Sequence, residues 1–228
     1  QKILLLIHNQ RILNACQPPV EFSEPQPHRK TQITTIPHQY QGIYWCKTDS
    51  VTLIVNDKTI YKEVELETIL SKSEVDSNPD ISFNNGKLHS IEMNRSFPAQ
   101  LKKDSIISQL NLRDTLFNIA TDQIAKSFKG HLIINNQLED TTWEVKVLSL
   151  KQKDILTIAN AVIPEDFELL ESITNVEQTN YDETNKIRQI KISPTQKEFN
   201  QILKQGLLFD GSCSEFTRIS TTTESLFF

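Results

Sequence analysis

From residue 42 onward, apolar and polar side chains alternate in short runs, and period-two alternation marks a strand with one buried face. Gly42-Ile43-Tyr44-Trp45-Cys46 and Val51-Thr52-Leu53-Ile54-Val55 each predict a strand, and residues 59–66 a third. Asn56-Asp57-Lys58 supplies the turn between the last two, because Asn and Asp tolerate tight backbone. The strongest hairpin signal is Asn84-Asn85-Gly86, between residues 81–83 and 87–91. An Asn-Gly pair adopts the left-handed turn whose twist matches two paired strands. Residues 105–110 add another strand. Residues 41–117 therefore read as an antiparallel β unit.

After residue 118 helical and strand periods mix. Thr121-Asp122 predicts the cap of a short helix running to residue 128, with Lys129-Gly130 ending it. Residues 131–135, 143–150 and 155–159 read as strands, the second alternating cleanly from Trp143. Pro164 predicts a helix start with Glu165 and Asp166 in its first turn, where the helix dipole favours acids. Its apolar face would be Phe167, Leu170 and Ile173. A strand follows at 187–192. Ser193-Pro194-Thr195-Gln196 then reads as a capping box with proline in the first helical position. That helix would bury Phe199, Ile202 and Leu203 and stop at Gly206, and a last strand lies near 216–219. The fold class is thus α+β and β-rich. It comprises antiparallel β-meanders and two or three short helices in the C-terminal half, with an α+β unit at 118–228 packed on the first unit. Residues 39–44 and 127–132 each place an aromatic two positions before a glycine that opens a strand. A duplicated β unit would do this, and so would two ordinary strand starts.

The N-terminal forty residues break the pattern. An apolar run at 3–7 follows Lys2 and stops at His8-Asn9-Gln10-Arg11, so residues 1–15 are signal-like but short. Residues 16–40 contain Pro18, Pro19, Pro25, Pro27 and Pro37 of the nine prolines, and their apolar residues show no period. Such a segment predicts an extended tether that does not fold alone.

Composition narrows the chemistry. The net charge of −5 and the lack of a basic stripe argue against nucleic acid. Only five glycines occur among 228 residues, so phosphate-cradling loops are not expected. The five histidines show no metal spacing. Asp76-Ser77-Asn78-Pro79-Asp80 begins like a calcium loop, but Ile81 stands where the turn glycine belongs and Lys87 where a bidentate Glu is required. Gly211-Ser212-Cys213-Ser214 has no strand-then-helix context for a nucleophile. No catalytic constellation, cofactor or metal is expected, and the chain reads as non-enzymatic. Cys46 and Cys213 are either a disulfide pair or two buried thiols. Residues 165–183 carry Glu165, Asp166, Glu168 and Glu171, then Glu177, Asp182 and Glu183, without one Lys or Arg. This stretch is either a docking face for a basic partner or a solvated helix.

Three resemblances bear on function. Leu13-Asn14-Ala15-Cys16 resembles the lipobox of bacterial lipoproteins, which implies cleavage before Cys16, acylation of Cys16 and a lipid-anchored tether at 16–40. The Asp–Ser/Thr–aliphatic or Thr motifs at Ser50, Ser105, Thr115 and Thr141 resemble O-glycan acceptors on exported proteins of Bacteroidota. Together these features resemble outer-membrane lipoproteins of that phylum. The resemblance implies an outer-membrane, lipid-anchored protein serving as accessory or structural subunit of a membrane-protein complex. The first acid after Cys16 is Glu21, which leaves periplasmic and cell-surface faces both open. Third, the aromatic–x–Gly–x–Tyr start at Tyr40 to Tyr44 is similar to the first strand of lipocalin-like barrels. That likeness implies an alternative, a small apolar ligand carried in a cavity lined by Tyr44, Trp45 and Trp143.

Overall fold

The computed structural model describes residues 18–119, 122–138, 141–152, 154–181, 187–209 and 214–221. Strands dominate the described residues, with three short helices among them, so the α+β, β-rich class stands. In chain order the elements are β1 (Val20–Phe22), a 3-10 turn (His38–Tyr40), β2 (Gly42–Cys46), β3 (Val51–Val55), β4 (Thr59–Ser71) and α1 (Lys72–Ser77). Then come β5 (Ile81–Asn84), β6 (Lys87–Ser90), β7 (Arg95–Lys102), β8 (Ser105–Asn118), β9 (Gln123–Phe128) and β10 (His131–Gln137). The rest are β11 (Trp143–Lys151), β12 (Ile155–Asn160), α2 (Phe167–Ile173), β13 (Val176–Tyr181), β14 (Ile187–Ile192), α3 (Gln196–Gln205) and β15 (Ser214–Ser220).

The main sheet runs β9-β10-β11-β12-β15-β2-β3-β4-β8, antiparallel throughout. It curls back on itself. Among the described residues no ladder joins β8 to β9, and the chain before β2 bridges that gap. Ile33 N–H donates to Ala125 O of β9 at 2.8 Å, and Ile36 N–H donates to Asp57 O at the β3–β4 turn at 2.6 Å. Period-two alternation sends Tyr44, Leu53, Val55, Ile60, Phe117, Leu132, Leu148 and Leu156 to the inside, all at 0% exposure. A side chain with no accessible surface has no water-sized void beside it, so the ring is packed around these eight residues.

A second core lies outside the ring. Ile133, Val145 and Val147 face outward from β10 and β11 and pack against β1, β14 and both C-terminal helices, through Phe22, Ile190, Leu170, Phe199 and Ile202. α3 forms because Thr195 and Glu198 make a capping box, Phe199 and Ile202 share the buried face, and Gly206 ends it in the left-handed region. A third core sits at the far end of the two longest strands. β4 (13 residues) and β8 (14 residues) pair along their length, beyond the reach of β3. At their tip α1 and the β5–β7 meander cover Leu70, Leu88, Ala99 and Ile106. Between the body and this tip the arm is a two-stranded ribbon.

Several expectations need correction. Residues 18–40 are no tether: Val20, Phe22, Ile36 and Tyr40 are buried, and β1 pairs in parallel with β14 and with Trp143 of β11. Burying each such side chain contributes about 1.5–3 kcal/mol, which a search for periodicity cannot see. Residues 123–128 are strand, not helix. Lys129 (φ 51) and Gly130 (φ 84) make a two-residue hairpin turn, and pairing with β10 overrides the weak cap signal. Gly130 therefore sits in a hairpin, whereas Gly42 opens a strand after a 3-10 turn, so the two aromatic–Gly segments are not equivalent. Asp166 caps α2 from outside, so the helix begins at Phe167 rather than at Pro164. The cap of α3 is Thr195, two residues later than expected. The ring core takes residues from both sides of position 117, so the expected two units share one core.

Candidate functional site

The end of the ring near β2 is closed by a hydrogen-bonded plug. Tyr44 lies inside, and its hydroxyl donates to Tyr40 O at 2.7 Å. Arg218 of β15 lies with its guanidinium 4.9 Å from the Tyr44 ring centre and donates to Gln41 O at 3.0 Å, Gln39 O at 2.5 Å and Tyr44 Oη at 2.6 Å. Tyr40 Oη in turn donates to Gly130 O at 2.7 Å, tying the plug to the β9–β10 turn. Burial pushes the Tyr44 hydroxyl up to about 12, against the opposing charge of Arg218. Gly42 is required here: a Cβ would meet Ser220 O at 2.5 Å.

The expected ligand-lining trio does not converge. Trp45 follows Tyr44 in the strand and so faces outward, 38% exposed. Trp143 packs on the second core. On the outer face, in the row of Trp45, Thr52 and Glu63, the buried Glu63 carboxylate pairs with Arg113, whose guanidinium stands 5.1 Å from the Tyr61 ring centre. Among the described residues Glu63 Oε2 has no hydrogen-bond partner.

The other singled-out residues are scattered. Glu165, Asp166, Glu168 and Glu171 are exposed around α2, and Asp166 Oδ1 accepts from Leu169 N–H at 3.0 Å as the cap. Asp182 and Glu183 lie outside the described residues, as do Cys16, Cys213 and the whole signal-like segment. Cys46 is a buried free thiol whose S–H donates to Asp49 Oδ2 at 3.7 Å. Ser50, Thr115 and Thr141 are exposed, and Ser105 is half-buried at the start of β8. Among the described residues no three His, Cys, Asp or Glu side chains cluster as metal ligands. A shallow cleft of about 140 Å³ brings Ser23, Ser193, Glu24 and His28 together. Glu24 contacts His28 and the two serine hydroxyls contact each other, but among the described residues no hydrogen bond joins the imidazole to either serine.

The feature that sequence reading missed is the arm. The arm exposes Ile69 (60%) and Leu101 (48%) near its tip and Ile91 (71%) in the β6–β7 turn, past the other end of β7. Ile69 stands beside Ile107 on one face, while Leu101 lies on the other, opposite Ile106. No helix among the described residues is long and apolar enough to cross a membrane. Against protein-family models, curated proteins and solved structures, the chain finds no match.

Proposed function

We propose that the protein is a non-enzymatic, lipid-anchored envelope protein that serves as accessory or structural subunit of an outer-membrane complex, with the arm tip as its contact. The observation that carries this reading is the arm itself: two long strands leave a filled ring and present three exposed large apolar side chains on a small separate core. Isolated exposed hydrophobics need no explanation, and Ile69 and Leu101 lie on opposite faces rather than in one patch, so what supports the reading is that the arm projects from the body. β4, at 13 residues, spans roughly 40 Å.

The lipid on Cys16 supplies the membrane address. Pro19 O already accepts from Ile190 N–H at 2.9 Å, so the body starts within three residues of the anchor. An extended chain of three residues covers only about 10 Å. The lipid thus holds the ring close to the bilayer, and reach comes from the arm rather than from a tether. Confinement to the membrane plane raises the encounter rate with a membrane partner. The same reading expects a sugar on at least one of Ser50, Ser105, Thr115 and Thr141, to be checked by glycopeptide mapping. The carrier alternative needs space beside Tyr44, where the side chain is wholly packed.

The test uses three variants in the native host. Cys16→Ser should release the protein from membranes. Ile91→Asp/Leu101→Asp should stay membrane-bound and folded but lose its co-purifying partners. Full retention of those partners would remove the arm from the reading. A reversal of Glu165, Glu168 and Glu171 to Lys tests the acidic face separately.

A further inference from the structure

A cleft of about 300 Å³ lies between the β9–β10 turn and the last turns of α3, lined by Lys129, His131, Asn200, Leu203 and Lys204. Among the described residues no carboxylate lines it, in a chain whose net charge is −5. Neither Lys129 nor Lys204 makes an ion pair among the described residues. Two uncompensated ammonium groups on one cleft repel each other and favour a bound anion.

Both walls are fixed before any ligand arrives. Lys129 occupies the left-handed position of a two-residue turn, and Tyr40 Oη pins that turn through Gly130 O at 2.7 Å. On the other wall α3 is held by buried Phe199 and Ile202, which puts Asn200 and Lys204 one turn apart on the same face. The negative end of the helix dipole would oppose an anion near Lys204, but the α3 carbonyls of Ile202 and Leu203 are already bonded by Gly206 N–H, and Leu207 N–H adds a second bond to Ile202 O. His131 Nδ1 lies 2.7 Å from Ser149 Oγ, which holds the imidazole in place. Burial lowers its pKa, so the ring contributes hydrogen bonding and no charge at neutral pH.

We infer that this cleft binds a phosphate group carried on a small organic molecule. Lysine presents a compact point charge that suits a phosphate dianion, Asn200 offers amide donors, and Leu203 supplies an apolar wall for the carbon part. The volume is at the lower limit for small-molecule sites, about 300–1,000 Å³. The phosphate could belong to a soluble ester or to a lipid headgroup, and the chemistry at the cleft is the same. This inference does not rest on the lipid anchor.

The test titrates the full chain calorimetrically with inorganic phosphate and with glycerol 3-phosphate, up to roughly 10 mM. Vesicles of neutral lipid, with and without phosphatidic acid, form the second arm. Lys129→Gln/Lys204→Gln is the comparison protein, checked for an unchanged melting curve. Binding of the soluble probes that weakens about tenfold or more in the double variant, and weakens as salt rises, supports a soluble ester. Binding only to phosphatidic acid vesicles, lost in the double variant, supports a headgroup. Absence of both, or equal binding by wild type and variant, overturns the inference. If the double variant melts differently, Lys204→Glu alone serves as the comparison, and unchanged binding by it again overturns the inference.

Discussion

Arg218 and Tyr44 show how one residue pair can close a barrel end. The guanidinium donates to two backbone carbonyls and to the Tyr44 hydroxyl, tying β15 to the chain before β2. Arg218→Ala should therefore destabilise the fold by about 2–4 kcal/mol, measured by urea denaturation. Tyr44 makes the plug sensitive to alkali. Its folded value of about 12 lies above the ordinary 10, so between those values the unfolded chain loses the proton while the folded chain keeps it. Stability is fully present below pH 10 and should fall by a few kcal/mol as pH rises toward 12. Tyr44→Phe should have a flatter profile over that range, although Tyr40, also raised by burial, leaves some slope. Gly42→Ala meets Ser220 O and should cost about 2 kcal/mol or more, loosening β15 from β2. Gly42 as a strand start was legible, because an aromatic–Gly pair there has a local signature, but Tyr44 was read as cavity lining rather than as part of a plug. Arg218 was not, since its partner lies 174 positions away and no local pattern joins them.

The segment at 18–40 is held at the level of elements by side chains on β9 and β10. Lys126 Nζ donates to Pro25 O at 2.6 Å and Pro27 O at 2.9 Å. Asn135 Oδ1 accepts from Gln26 N–H at 2.6 Å, while its amide donates to Gln26 O at 3.0 Å. Lys126→Met keeps the volume but removes the ammonium donor from Pro25 O and Pro27 O, the latter keeping the Lys30 N–H at 3.1 Å. It should cost about 1–3 kcal/mol and speed amide exchange at Gln26, whereas unchanged exchange would show the segment is held by β1 alone. Proline content hid this: five prolines without apolar period suggest a chain that cannot fold alone, and it does not, for it folds onto β14 and β9. The Asn84-Asn85-Gly86 hairpin and α3 were legible, because turn and cap chemistry are local, with Asn85 at φ 49 and Gly86 at φ 71. The helix expected at 121–128 failed for the opposite reason, a local cap signal outweighed by a ladder with β10.

On the scale of the whole molecule the ring is a packed support that exposes Trp45 and Ile219 on β2 and β15, and the arm exposes Ile69, Ile91 and Leu101. Alternation revealed the strands but not their lengths: β4 runs five residues beyond the expected end, out to the tip, and β8 eight residues beyond, back along β4 into the ring where Phe117 is buried. The tip carries exposed Lys72, Lys87, Lys102 and Lys103, which makes it directly addressable by chemistry. A lysine-reactive cross-linker applied to intact membranes of the native host, read by mass spectrometry, probes the contact where it forms. Cross-links from these four lysines to a membrane protein are expected, and Ile91→Asp/Leu101→Asp should abolish them. Cross-links to partners that come only from the ring, or that survive the double substitution at wild-type yield, would contradict a contact made by the arm.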